Sequence, residues 1–159
     1  MTFLIRAAEP GDVPLIADLI RQLAKFEKLE DEVVMTEELL KAGLFGPRPY
    51  AETVIAEEDA QPIGFALFFH TFSTFLARPG LYLEDLFVLA EHRGRGVGRA
   101  LLVHLAHLAV ERGCGRLEWA VLNWNQEAIR FYERLGAMPN SEWTVYRLTG
   151  KALSSLARE

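Results

Sequence analysis

The chain has 159 residues, 50% of them hydrophobic and 25% charged, and a formal net charge of −5. That is the size and balance of one globular domain able to bury a core, and its acidity argues against a nucleic-acid partner. No apolar run approaches the length of a membrane span, and the one cysteine, Cys114, has no internal disulfide partner.

The first residues enter directly into the alternating Thr2-Phe3-Leu4-Ile5-Arg6, so residues 3 to 7 predict a starting or edge strand and no signal peptide. With the lone cysteine, this sets the expectation of a reducing, cytoplasmic compartment. Asp12 is placed to N-cap a helix with Pro14 in its first turn, and Ile16, Leu19, Ile20 and Leu23 form its core stripe as far as about Phe26. Residues 27 to 35 are acidic and break that pattern. Thr36 then caps a shorter helix with Leu39, Leu40 and Leu44 inward, and Gly46-Pro47-Arg48-Pro49 is a loop. Alternation near 50 to 58 and 62 to 71 predicts a hairpin, followed by a loop over 72 to 80. A strand near 81 to 89, a helix near 97 to 112 closed by Gly113, and a strand near 116 to 122 come next. A helix near 126 to 135, a strand near 142 to 148 and a short helix over 150 to 157 complete the chain. Hairpin and crossover connections together imply an α/β (α+β) architecture, a central mixed sheet flanked by helices, in a single domain spanning 1 to 159.

The densest chemical signal lies between the strand Leu81-Tyr82-Leu83-Glu84-Asp85-Leu86-Phe87-Val88 and the following helix, in Arg93-Gly94-Arg95-Gly96-Val97-Gly98. A glycine-rich turn opening a helix presents bare backbone N–H groups and the positive end of the helix dipole, which suits phosphate. Arg93, Arg95 and Arg99 bring cations to the same place. The string lacks the Gly-Lys-Ser/Thr of a P-loop. It also fails the Gly-x-Gly-x-x-Gly dinucleotide fingerprint, because Arg99 occupies the sixth position counted from Gly94. It meets a third pattern, Arg/Gln-x-x-Gly-x-Gly/Ala, through Arg93, Gly96 and Gly98. The plain alternative is a tight strand-to-helix turn with solvated arginines. No Gly-x-Ser-x-Gly elbow occurs, and His104 and His107, three apart on a helix, read as solvated rather than metal-bound, so no metal is expected.

That third pattern, in that context, resembles the pyrophosphate-binding motif of the GNAT superfamily, the acetyl-CoA-dependent N-acetyltransferases. The similarity continues in Ala120-Val121-Leu122-Asn123-Trp124-Asn125-Gln126-Glu127-Ala128 and in Phe131-Tyr132-Glu133-Arg134-Leu135-Gly136-Ala137. Leu23-Ala24-Lys25-Phe26-Glu27-Lys28-Leu29 and Tyr82-Leu83-Glu84-Asp85 narrow it to the diamine (spermidine/spermine) acetyltransferases, most like their thialysine Nε-acetyltransferase branch. It covers roughly residues 3 to 150.

The resemblance implies the GNAT acyl-CoA N-acyltransferase fold, acetyl-CoA as co-substrate in a V-shaped split between two central strands, and a homodimer. It implies transfer of acetyl to a primary amine of a small cationic molecule, by direct attack in a ternary complex. Such transfer needs a deprotonated amine, a polarised thioester carbonyl and a proton for the departing thiolate.

On a regular strand Glu84 and Asp85 point to opposite faces. The resemblance supplies a bulge there, with Glu84 taking up the amine's proton through water and Asp85 supporting the charge. The alternative for both is a solvated strand end. By spacing alone Tyr132 is a core tyrosine; the resemblance makes it the acid that protonates the CoA sulfur. Asn125 is a helix N-cap by position, and the resemblance adds a cofactor contact beside Gln126 and Ala128. It also lays the pantetheine arm along the backbone of Leu86, Phe87 and Val88, and the phosphates on Arg93, Gly94, Arg95, Gly96, Val97, Gly98 and Arg99. Phe26 and Glu27, with Glu84, Asp85 and, as lesser candidates, Trp119 and Glu142, are the implied amine-binding residues; the plain alternative for the acidic stretch Glu27 to Glu32 is a solvated loop. The chain departs from the spermidine branch at Lys28, in the loop 72 to 80 with Phe75, and at Arg134-Leu135. An extra cation at Lys28 opposes polyamines and suits a substrate carrying a carboxylate. Competing readings are a protein, peptide or aminoglycoside acetyltransferase, and a catalytically silent CoA-binding sensor.

Overall fold

Segments rich in aromatic and β-branched residues pair into one five-stranded sheet of order β1-β2-β3-β4-β5 in the computed structural model, which describes residues 2–159. β1 (Leu4–Ala7), β2 (Glu52–Glu58), β3 (Gln61–Ser73) and β4 (Arg78–Val88) are successive antiparallel neighbours. β5 (Leu117–Trp119) runs parallel to β4 after a crossover through a helix, which makes the sheet mixed. The helices are α1 (Val13–Phe26), α2 (Glu37–Phe45), α3 (Val97–Glu111), α4 (Gln126–Arg134) and α5 (Gly150–Leu156). The chain divides into two compact units, one ending at Ala120 and the other running Val121–Glu159. The sheet and α1 to α3 make up the first; α4 and α5 lie in the second.

The two sheet faces in the first unit take different partners. Ile55, Phe65, Leu67 and Phe87 pack with Ile16, Leu19 and Leu23 of α1 and Leu44 of α2 in one buried cluster. Val88 turns the other way: its Cγ2 lies 3.8 Å from where a Cβ on Gly98 of α3 would stand. Leu101 and Leu105 of α3 are fully buried. Each such side chain contributes about 1.5–3 kcal/mol through burial.

Several expected details differ. Asp12 does not cap α1 with its side chain. Its carboxylate instead receives both terminal nitrogens of Arg6, at 2.8 and 2.9 Å, and the Glu9 N–H at 2.7 Å. A charge-assisted, two-pronged pair outcompetes a neutral cap. Leu39 is 65% exposed, because α2 turns only one narrow stripe inward, with Leu44 buried and Leu40 half-buried against the cluster. The loop expected over 72 to 80 shrinks as β3 and β4 extend into it, pairing as far as Ser73 with Arg78. The strand expected near 116 to 122 is only Leu117–Trp119. Residues 142 to 148 have strand composition but join no ladder, and propensity without a pairing neighbour does not make a strand. Gly113 does close α3: its φ is 73°, and the Cys114 N–H reaches back to Ala109 O at 2.8 Å.

Candidate active site

The site is built where β4 leaves β5. Their ladder holds Leu81 with Leu117, Tyr82 with Glu118 and Leu83 with Trp119, and ends there, while β4 runs on to Val88. From Glu84 onward, the flank of β4 away from β3 has no strand neighbour among the described residues. An edge without a strand neighbour is the kind that strand addition uses. Trp119, half-buried, stands at the last rung before the opening.

A bulge sits at the same point. Phe68 of β3 pairs with Leu83, but Leu67 pairs with Asp85, so Glu84 is the extra residue on β4. The consequence follows from alternation. Tyr82 lies opposite Phe69, its ring centroid 5.2 Å away, so Glu84, two residues on, shares the Tyr82 face. Phe87 lies opposite Phe65 on the α1 face, so Asp85, two residues back, shares the Phe87 face. Leu67 pairs with Asp85 and Phe69 with Tyr82, and these two odd-numbered residues of β3 lie on one face. The bulge therefore puts Glu84 and Asp85 on the same side, the side that α1 covers.

The electrostatics agree with this placement. Asp85 is largely buried, and its pKa is pushed up to about 6, first by loss of water and then by the charges of Glu84 and Glu27. Burial raises the Glu27 carboxyl above the usual carboxylate range as well. The Tyr82 hydroxyl is pushed up by burial and then by Glu84 and Glu118. Three acids thus converge from the end of α1 and the bulge of β4, a cluster that a cationic ligand relieves. Tyr82 was not among the residues expected from sequence, although its i, i+2 relation to Glu84 was there to be read.

α1 ends against this cluster in a left-handed turn. Lys28, directly after the C-cap Glu27, has φ 62°. The Lys28 N–H donates to Lys25 O at 3.1 Å and the Leu29 N–H to Ala24 O at 2.8 Å. This conformation suits glycine; a lysine holds it at a cost of about 1 kcal/mol or more.

At the other end of the open flank lies the glycine turn. Gly94 and Gly96 have φ of 74° and 84°, and Gly96 is the N-cap of α3. The Ala100 N–H donates to Gly96 O at 3.0 Å. The N–H groups of Val97, Gly98 and Arg99 precede that first helical bond and are aligned with the dipole. Gly64 of β3 permits the crowding beneath, since a Cβ there would stand 2.8 Å from Phe87 O. An anion-binding turn joined to an open strand flank fits a phosphorylated, extended molecule.

The three arginines differ in what they do. Arg95 pairs with Glu58 at the β2–β3 hairpin, at 2.5 Å, and donates to His92 Nδ1 at 2.9 Å. Arg93 donates its Nε–H to Val88 O at 2.9 Å and lays its guanidinium over two rings, 4.6 Å from the centroid of Phe26 and 5.2 Å from that of Phe87. Arg99 is exposed on the first turn of α3. Glu58 had no sequence signal beyond lying in a polar turn.

Of the remaining expected residues, Asn125, Gln126, Ala128, Tyr132 and Glu142 belong to the second unit. Asn125 does cap α4: its Oδ1 accepts the Ala128 N–H at 3.2 Å. The Gln126 side chain donates to Asn123 O at 3.1 Å. Tyr132 is half-buried two turns into α4, its ring 5.5 Å from that of Phe131. Glu142 is exposed. Among the described residues no helix is long and apolar enough to cross a membrane.

Known proteins match this chain in sequence and in fold. The model of the acetyltransferase (GNAT) family matches residues 17–137. The thialysine N-epsilon-acetyltransferase of Bos taurus is 38% identical over 165 residues, covering 97% of this chain and 96% of that protein. An L-ornithine N5-acetyltransferase of Arabidopsis thaliana is 36% identical over 197 residues, covering 96% and 86%. Among solved structures, an integron cassette protein from the mobile metagenome of V. cholerae superposes with a TM-score of 0.84 at 27% identity, covering 100% and 99% of the two chains. The five-stranded mixed sheet with its flanking helices is the GNAT fold, whose enzymes use acetyl-CoA as co-substrate. The chain belongs to the GNAT family of acetyltransferases.

Proposed function

We propose that this enzyme acetylates the distal primary amine of a small amino acid of the ornithine, lysine or thialysine type, in a ternary complex with acetyl-CoA. The observation that carries the reading is the bulge at Glu84, which turns Glu84 and Asp85 to one side beside Glu27. Three acids within reach of one another suit an ammonium group, and the acidic chain as a whole draws cations. Phe26 and Trp119 supply apolar walls for a methylene chain. Lys28, strained on the same loop as Glu27, is the cation for the α-carboxylate of such a substrate. The names of the bovine and plant relatives, a thialysine and an L-ornithine acetyltransferase, support this class.

Acetyl-CoA supplies the thioester acyl group. The backbone N–H groups of Val97, Gly98 and Arg99 would hold its phosphates, and the open flank at Leu86, Phe87 and Val88 its extended arm. A backbone N–H on that flank would also polarise the thioester carbonyl. Glu84, exposed at the bulge, receives the amine's proton through water, while Asp85 and Glu27 hold the ammonium before it is lost. Tyr132 donates the proton needed at sulfur, with Asn125 fixing the start of its helix. In this reading the two units form a single acetyltransferase domain, since the family match runs across the boundary at Ala120. The reading also includes a homodimer in the cytoplasm, which sedimentation of the purified chain and cell fractionation would test.

The direct test is CoA release across L-ornithine, thialysine, lysine, putrescine, spermidine, an aminoglycoside and a histone-tail peptide. Fastest turnover is expected on an amino acid, reduced on the order of 10²-fold in kcat by Tyr132→Phe. Lys28→Ala should narrow the preference for ornithine over putrescine. A diamine, aminoglycoside or peptide as the best substrate overturns the substrate class. No turnover with any amine, despite CoA binding, points to a sensor.

A further inference from the structure

The Arg93 side chain physically joins the two halves of the site. It leaves the backbone one residue before Gly94-Arg95-Gly96, the turn read above as the phosphate seat. Its guanidinium lies over the ring of Phe26, the last residue of α1, and over Phe87 of β4, whose ring centroids are 6.4 Å apart. Its Nε–H is fixed to Val88 O. Glu27 and Lys28, the charged residues that face the amine in the proposed reading, follow Phe26 directly in the chain.

The geometry of each contact says what it does. A guanidinium stacked on aromatic faces is held by its plane as well as its charge. The bond to Val88 O ties the base of the side chain to the last residue of β4, where the open flank ends. A ligand seated on the adjacent turn would fix the Arg93 backbone, and through its two rings Arg93 would then fix the end of α1, where Lys28 sits in the left-handed conformation that few side chains adopt. The opposite arrangement stands beside it. Arg95, two residues on, is engaged with Glu58 and His92, on the side of the β2–β3 hairpin, and makes no such link to α1 among the described residues.

We propose that Arg93 is a positioning residue that couples the two substrates: CoA held at the glycine turn locks Arg93 over Phe26 and so orders the Glu27–Lys28 loop for the amine. The proposal rests on the acetyl-CoA reading of the turn. Coupling of this kind is reciprocal, so an amine that orders the loop must tighten CoA by the same factor.

The test is amide hydrogen exchange on the full chain with and without saturating CoA, which needs no knowledge of the true amine. In the wild type, CoA should slow exchange in residues 27 to 32 several-fold, as well as at the glycine turn. In Arg93→Ala at saturating CoA, slowing at the turn should remain and slowing at 27 to 32 should vanish. Phe26→Leu removes the ring without touching the turn and should give the same result if Arg93→Ala fails to fold or to bind. Arg93→Lys keeps the charge but loses the planar stacking and should restore less than half of the effect. A purely structural staple would change exchange at 27 to 32 equally with and without CoA. That result overturns the proposal, as does CoA-dependent slowing that survives in Phe26→Leu. If CoA protects neither segment in the wild type because it does not bind, the acetyl-CoA reading fails and the coupling falls with it. If CoA protects the turn alone, that reading stands and only the coupling is lost.

Discussion

At the glycine turn Arg93 and Arg95 already have partners, whereas at the bulge like charges are gathered. Arg95 is neutralised by Glu58, and Arg93 is spread over two rings and a carbonyl. The positive potential left at the turn comes from exposed Arg99 and from the backbone N–H groups ahead of α3, fixed in direction by Gly94 and Gly96. At the bulge, burial first and then the charges of Glu84 and Glu27 raise the pKa of Asp85 to about 6. In the proposed reading, one end binds chiefly by backbone geometry and uses Arg93 and Arg95 as struts. The other, in the same reading, binds by side-chain charge, and a cation there would relieve the mutual repulsion of its acids. The difference separates what mutation should do at each end.

The largest effect should come from Glu84→Gln. Removing the exposed acid of the cluster takes away the proposed proton acceptor, and kcat/KM for the amine should fall by roughly 10²–10⁴-fold, the range for lost general-base help. CoA affinity, measured by calorimetry, should stay within about threefold. A loss of CoA affinity as large as the loss of activity would erase the division between the two ends.

Asp85→Asn sharpens the comparison through its sign. The folded carboxyl titrates at about 6 against 3.8 when unfolded, so between those values the folded chain binds the extra proton. Stability therefore falls as pH rises from about 4 to 6, and the full cost, about 3 kcal/mol at most, persists above that. Asn carries no such cost. The variant should melt several degrees above the wild type at pH 8 and together with it near pH 4. Its activity should move the other way. The wild-type kcat/KM should show an acid limb, falling as pH drops through about 6, and that limb should disappear in Asp85→Asn along with about tenfold of the activity. A variant no more stable at pH 8 would mean that Asp85 is ordinarily solvated and that the cluster is not strained.

How far this arrangement was legible depended on the range of the interaction. The caps at Gly113 and Asn125 are local and were readable from a few neighbours. The pair Glu84-Asp85 was visible as a problem, since alternation parts adjacent residues. The resemblance to acetyltransferases supplied the bulge that resolves it, and the Phe68–Leu83 and Leu67–Asp85 pairs locate it. What could not be read was set by partners distant in the chain. Arg93 meets Phe26 from across the sheet end, and Arg95 meets Glu58 from another hairpin. Asp12 had the right identity for a cap but lost that role to Arg6, a stronger partner brought alongside by β1. Residues 142 to 148 had strand composition and no ladder. Local propensity proposes such elements, and tertiary pairing decides them.

The smallest effects should separate two glycines of one motif. Gly96 has φ 84°, and a Cβ there would meet open space, so Gly96→Ala is opposed by backbone conformation alone. It should cost about 1–2 kcal/mol of stability. Gly98 lies inside α3 with an ordinary helical backbone, and its Cβ would stand 3.8 Å from Val88 Cγ2, a normal contact. Gly98→Ala should therefore leave the melting temperature unchanged or raise it slightly, by the usual helix preference of alanine over glycine. Its effect should appear in binding. If the phosphates rest on the bare backbone of this turn, a methyl there should raise the KM for acetyl-CoA several-fold while kcat holds. Gly98→Ala with unchanged stability and unchanged KM would mean that the ligand does not approach this backbone closely, and that the turn serves α3 rather than the phosphates.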